Sequence, residues 1–486
     1  MEGDAGMQEP SDELELIRWR SEKDKLPPWV LWSGVVVLFG MVHCRYETLV
    51  SLAQSLLART VPSFYEHVPK DVLTERYVEN LVCIKGFLFY IAAGILFLPI
   101  VRSVWLDRSS LRAQYDLVRL AKRSVVLMLV LAALIVPVHV PYLVDAGTHG
   151  LPYSVMSMSP FSKSTDLIYR RLLTPALAYL LQMKGLPLYY VFSLACTFGL
   201  IFLTLLFLEI HVRGGPGHTG LAPALKPSLW GGSGIWILSL ATSSFIMFDF
   251  QSPGYVEHLF YILTLLAVCV PMTTGGLLAV VALSLAAHEI SVLTLVPLVL
   301  LAFPKQVRWK ALCVVALYFL MWLMSLGFNV KAALMTHNIV VNQAFLDTPS
   351  VIQSLTSHPL RILSGIFFAY KLWWVLAVVA AWMLYKEGKT RMVRFILGAI
   401  LLPLVILPIA YDTSRLASMG FLGVLLAACY LVRRYRQTSW PRWLQVLLLL
   451  NIAIPSFYAD LYRGLHLPWG LYRVVVELVK ASWHAI

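Results

Sequence analysis

Residues 274–304 read TGGLLAVVALSLAAHEISVLTLVPLVLLAFP, and the only ionisable side chains in that stretch are His288 and Glu289. A helix rising 1.5 Å per residue needs about 20 apolar residues to cross a hydrocarbon core. We therefore read the stretch as a hairpin of two closely spaced spans, 274–288 and 290–304, turning at the His-Glu pair. Charged groups inside such apolar sequence tend to face an internal cavity and to carry function.

Working outward, similar runs bounded by charge, proline or glycine lie near 28–43, 83–104, 124–143, 187–212, 230–248, 256–271, 311–328, 362–385, 395–410, 416–432 and 443–458. The expected fold is all-α: a polytopic transmembrane helical bundle of about thirteen spans over 28–458. Composition agrees, with 59% hydrophobic and 13% charged residues, against about half and a quarter in soluble domains.

The net charge of +13 sits in short segments between apolar runs, which sets membrane orientation and does not point to nucleic acid. With residues 1–27 as a cytoplasmic tail, the denser share of Lys and Arg falls in the inner segments 102–123, 213–229, 305–310, 386–394 and 433–442. The outer segments are then 44–82, 144–186 and 329–361, with 459–486 an external or interfacial tail. The first half of 44–82 is amphipathic and suited to the interface. The short apolar stretch 172–184 reads as a re-entrant or interfacial piece on the outside. The six cysteines form no CxxC pair and show no zinc-ligand spacing, so neither a disulfide framework nor a structural metal is expected.

Ionisable residues then collect on the outer side from separate stretches. Asp145 lies at the outer membrane boundary just after the span 124–143, and His149, Asp166, Tyr169, Arg170 and Arg171 follow it. A carboxylate at the edge of hydrocarbon is suited to general-base work, and paired arginines to holding a phosphate. Each also has a plain structural reading, as a helix cap or a boundary marker. The stretch FDFQSPGYVEH adds Asp249, Glu257 and His258, where Glu257 equally suits a helix N-terminus. The turn AYDTSRLASMG adds Asp412 and Arg415. Lys371 in FFAYKLWW is deep in an apolar run and needs a partner or a cavity.

In order, these motifs resemble bacterial polytopic sugar transferases of the glycosyltransferase C type (GT-C). Such sequences carry an Asp after an early span, a segment ending in Tyr-Arg-x-Leu-x-Pro, an external acidic turn, a His-Glu pair and an Asp-x-x-Arg turn. Here the matching positions are Asp145, Tyr169-Arg170-Arg171-Leu172-Leu173-Thr174-Pro175, Glu257, His288-Glu289 and Asp412 with Arg415, spanning about 145–420. The resemblance implies a polyprenyl-phosphate-linked sugar donor, no cofactor, and a site on the outer face of a bacterial inner membrane. It implies Asp145, Glu257, His288 and Glu289 as catalytic residues. Tyr169, Arg170, Arg171, Lys371 and Arg415 would bind the donor phosphate, and His149, Asp249 and Asp412 would support the acceptor. Acids of the first outer segment, Glu47, Glu66, Asp71, Glu75 and Glu79, are alternative bases. A polysaccharide polymerase or ligase and a lipid or solute transporter are the competing readings. The Walker phosphate loop, HExxH and the dinucleotide fingerprint are absent.

Overall fold

The structure is a computed structural model, and it describes residues 17, 19–20, 26–62, 70–135, 150–162, 171–213, 236–243, 246, 257–326, 359–406, 413–435, 441–454, 458–460 and 464–466. It is almost wholly helical: α1 (Pro28–His43), α2 (Tyr46–Thr60), α3 (Lys70–Gln114), α4 (Leu117–Ile135), α5 (Gly150–Met156), α6 (Leu173–Leu180), α7 (Leu186–Arg213), α8 (Glu257–Cys269) and α9 (Thr274–Ala287). After a 3-10 turn at Glu289–Ser291 come α10 (Val292–Pro297), α11 (Lys305–Ser325), α12 (Pro359–Tyr370), α13 (Trp373–Lys386), α14 (Thr390–Ile406), α15 (Thr413–Ser418), α16 (Phe421–Arg434) and α17 (Arg442–Ala453). A two-stranded antiparallel ribbon, Tyr458–Asp460 with Gly464–His466, packs on α12.

At the centre stands α9. Every residue from Gly275 to Ala287 is buried, as suits a helix that is apolar on all faces. Around it lie α1, α3, α8 and α11. The outer helices turn apolar side chains outward instead: on α3, Phe87 is 66%, Leu98 55% and Trp105 61% exposed. Together with Ile84, Ile91 and Val101 they recur at steps of three, four and seven residues and form one helical stripe. A long exposed apolar stripe is what a hydrocarbon solvent requires and what water penalises.

Among the described residues, three helices are long and apolar enough to cross a membrane, Tyr77–Gln114, Pro187–Val212 and Lys305–Ser325, with mean hydropathies of 2.3, 2.5 and 1.6. Two bent pairs raise the number to five: Pro28–His43 with Glu47–Thr60, bent by 97°, and Ile362–Tyr370 with Trp373–Lys386, bent by 70°. This corrects the expected thirteen spans. Among the described residues the other runs are apolar but give no further helix that is both long enough and free enough of charge. Four of the apolar helices have only 10–17 residues, and the 14 residues of α9 reach about 21 Å against a core of about 30 Å.

The expected hairpin 274–304 is likewise a broken path. His288 is extended, with φ −159° and ψ 124°. Before it α9 packs on α3, α8 and α11, whereas after it α10 packs on α14. Pro297, which has no N–H, is followed by a wide turn in which Phe303 N–H bonds to the Leu298 carbonyl at 3.0 Å. In the other direction, α3 joins residues assigned to two loops and a span into one helix of 45 residues.

Two contacts tie the chain start to this frame. Arg20 meets Asp107 of α3 at 2.9 Å, and its backbone N–H reaches the Met272 carbonyl at 2.9 Å. The charge pattern assigns the segments of Arg20 and Asp107, 1–27 and 102–123, to one face.

Helices α14 and α16 approach through glycine. A Cβ on Gly423 would lie 2.8 Å from the Ile396 carbonyl oxygen, and one on Gly420 2.9 Å from that of Ala399. Backbone cannot yield as a flexible side chain does. Gly423→Ala is expected to destabilise the protein by about 1–3 kcal/mol, read as a lower unfolding midpoint, while Gly94→Ala, inside α3 with nothing within 4 Å, should not lower it.

The α13–α14 turn holds Glu387, which meets Lys389 at 2.8 Å and accepts from Tyr430 at 2.7 Å. Partial burial works against its charge, but the hydrogen bonds from Lys389 and Tyr430 prevail and hold its carboxyl below the usual carboxylate range. A depressed pKa contributes stability above the ordinary range and loses it as pH falls through the folded value. Acid should therefore destabilise the wild type more than Glu387→Gln, when midpoints at pH 7 and pH 4 are compared.

Candidate active site

The break at His288 gathers the chemistry. Because the helix stops there, the His288 side chain caps the following turn: Nδ1 accepts from the Ile290 N–H at 3.1 Å. That contact needs the lone pair on Nδ1 and leaves the proton on Nε2. Glu289 Oε2 lies 3.6 Å from the same Nδ1, so the neighbouring residues touch without forming an ion pair.

Glu289 spends its carboxylate on Arg171. The guanidinium Nη2 donates to Oε1 at 3.0 Å, and Nε spans both oxygens at 3.3 Å. Nη1 donates to the Tyr153 hydroxyl at 2.7 Å. These contacts engage three of the five guanidinium N–H groups. The Glu289 side chain is 5% and that of Arg171 15% exposed, so the pair is held largely away from solvent. Arg171 precedes α6, whose Ala176 carbonyl accepts from Tyr90 of α3 at 3.0 Å. Tyr153 belongs to α5.

Near this centre, Ser193 of α7 and His258 Nε2 of α8 share a buried hydrogen bond of 2.9 Å, and Phe260 lies edge-on to His288 at 6.4 Å. Thr294 of α10 donates to the Met419 carbonyl at 2.8 Å. That bond fixes the turn after α15 against the broken segment.

Lys371 is placed elsewhere, at the bend between α12 and α13. It is buried, with the left-handed φ of +52° that costs an L-residue about 1–2 kcal/mol. Its Nζ donates to the carbonyls of Ile454 at 2.9 Å and Asn451 at 3.3 Å, capping the end of α17 where a cation suits the helix dipole. Asn451 completes the clamp by accepting from Leu372 N–H at 2.9 Å and donating to the Ser239 carbonyl at 2.9 Å. Lys371→Met should lower stability by about 2 kcal/mol by stranding those carbonyls, with a drop in unfolding midpoint as the readout.

The structure thus joins Arg171, His288 and Glu289, and sets Lys371 against α17. Asp145, His149, Asp166, Tyr169, Arg170, Asp249 and Asp412 lie outside the described residues. Glu257 opens α8 and Arg415 lies in α15, but their side chains are also outside them. The parts played by Tyr153 and by Ser193, the partner of His258, had no signal in sequence, since a tyrosine in a proline turn and a serine in an apolar run are ordinary. Among the described residues no group of three or more His, Cys, Asp or Glu side chains is arranged to hold a metal ion.

In comparisons with known proteins, no family, no curated protein and no solved structure matches this chain.

Proposed function

We propose that this chain is a membrane glycosyltransferase of GT-C type that moves a sugar from a polyprenyl-phosphate carrier to an acceptor hydroxyl at the outer face of a bacterial inner membrane. What supports the reading is one observation: Arg171 of the Tyr-Arg-Arg-Leu-Leu-Thr-Pro stretch and Glu289 of the His-Glu pair, 118 positions apart, form a largely buried bidentate pair at a helix break. Active sites concentrate ionisable groups in such apolar surroundings.

In this reading Asp145 takes the proton from the acceptor hydroxyl as its oxygen attacks the anomeric carbon. The carbon–oxygen bond to the carrier phosphate breaks, and the phosphate leaves with the electron pair. Arg170 and Arg415 stabilise its charge. Arg171 and Glu289 hold the pocket wall, with Tyr169, Glu257 and His288 lining the donor. Asp249, His149 and Asp412 orient the acceptor. Prenyl chains enter along the amphipathic segment that includes α2.

The test is transfer by the purified protein from a panel of polyprenyl-phosphate sugars to mono- and oligosaccharide acceptors. Transfer of a single sugar is the expected result. Repeated addition would make the protein a polymerase, and no transfer from any donor would contradict the proposal. A transport reading also has an observation in its favour, the interrupted helices at His288 and at Lys371, since transporters bind cargo at discontinuous helices. Movement of a labelled lipid-linked sugar across vesicles without transfer would establish it.

A further inference from the structure

The exposed stripe of α3 does not end with its aliphatic residues. From Leu98 and Val101 it runs through Trp105 to Arg108 and Arg112, all exposed, in alternating steps of three and four, so one helix face carries them all. Ile84 to Trp105 covers about 32 Å at 1.5 Å per residue, close to a hydrocarbon core of about 30 Å. Trp105 thus falls at the membrane–water boundary, where indoles gather. Arg108 and Arg112 follow one and two turns further, at headgroup depth. The Arg108 guanidinium stacks on the Trp105 ring, with Cζ 3.1 Å from the ring centroid. Stacking uses the flat face of the group and leaves its in-plane N–H groups for an acceptor.

Helix α4 begins after the turn at Tyr115–Asp116 and repeats the arrangement: exposed Lys122 precedes exposed Val125 and Leu129 on one face. Half-buried Arg102 and Arg119 add to the positive field. The two carboxylates of this stretch are already used. Asp107 is buried against Arg20, and Asp116 Oδ1 accepts from the Arg119 N–H at 2.9 Å. Arg108, Arg112 and Lys122 make no ion pair among the described residues. Acyl chains suit the apolar part of the stripe, and a phosphate with net negative charge suits the three cations at its end. A zwitterionic headgroup brings an ammonium that such a patch repels. We infer that the α3–α4 turn is a binding surface for anionic phospholipids of the phosphatidylglycerol kind, whose phosphates accept from Arg108, Arg112 and Lys122 while the acyl chains lie along α3. Basic clusters beside a membrane span recruit anionic lipids in this way. The surface shares no residue with the Arg171–Glu289 centre, and the inference is independent of the transfer reading.

The experiment measures lipid retained by the detergent-purified full chain, using native mass spectrometry after incubation with equimolar dioleoyl phosphatidylglycerol and dioleoyl phosphatidylcholine. Wild type should keep the anionic lipid with a preference of about fivefold or more, fivefold being the yield of one basic side chain near a lipid surface. Arg108→Gln/Arg112→Gln/Lys122→Gln should bring the preference close to unity. Lys305→Gln/Arg394→Gln/Arg433→Gln removes three other exposed bases, in segments that the charge pattern assigns to the same face, and should leave the preference unchanged. Glycerol 1-phosphate, which has no tails, should not displace the lipid at equal concentration. Equal retention of both lipids by wild type, a preference that survives in the first triple variant, an equal loss in the second, or displacement by glycerol 1-phosphate would each overturn the inference. A doubled mass of wild type that the first variant abolishes, with no lipid preference, would overturn it in favour of a second copy of the chain. Unfolding midpoints near that of wild type show that the variants are folded. Should the first triple variant not fold, Arg108→Gln/Arg112→Gln takes its place, with the same expected and overturning results.

Discussion

Replacing Glu289 with alanine is expected to destabilise the protein by about 3 kcal/mol, the largest stability effect of any single substitution considered. The cause is the charge left behind. Arg171 is anchored by a bidentate pair and by Tyr153, and removing the carboxylate strands a guanidinium whose side chain is only 15% exposed. Breaking a buried pair costs about 3–5 kcal/mol. The surviving bond to Tyr153 and that residual exposure place the effect at the lower end. The double variant Arg171→Met/Glu289→Met should recover most of the loss, since replacing both partners by apolar groups is nearly neutral. Unfolding midpoints of wild type, both single variants and the double variant close the cycle. Additive effects would mean that the two side chains are not coupled.

Asp145→Asn is expected to slow sugar transfer by about 10²–10⁴-fold and to leave stability within about 0.5 kcal/mol. An amide of the same shape keeps local packing but cannot take a proton at neutral pH, so the loss should fall on turnover more than on donor affinity. Unchanged transfer by this variant would move the base to another acid, with Glu47, Glu66, Asp71, Glu75 and Glu79 the alternatives. Equal loss of transfer and of midpoint would make Asp145 structural.

Much of the helical framework was legible because its signals are local. The bounds of α1 follow from Pro27, Pro28 and a purely apolar run, and α2 from its amphipathic pattern. The break at His288 and Glu289 was visible as the only ionisable interruption in 274–304. What was not legible depends on neighbours distant in sequence. The continuity of α3 was hidden by the charged residues flanking its apolar centre, and the number of spans by helices that are apolar but short. Lys371 clearly needed a partner, but its partners are two carbonyls some eighty positions away. No residue type in the sequence marks a carbonyl as an acceptor. Arg171 and Glu289 were each marked as functional, whereas their pairing arises only from packing.

The reading rests on Asp145, Glu257 and Asp412 opening to one and the same side of the bilayer. Single cysteines at these three positions, in a background lacking the six native ones, can be treated with a membrane-impermeant maleimide in intact cells, with Arg308→Cys and Lys389→Cys as inner-face controls. The account predicts labelling of all three from outside, and of the controls only after permeabilisation. Labelling of any of the three solely from the inner face would contradict it.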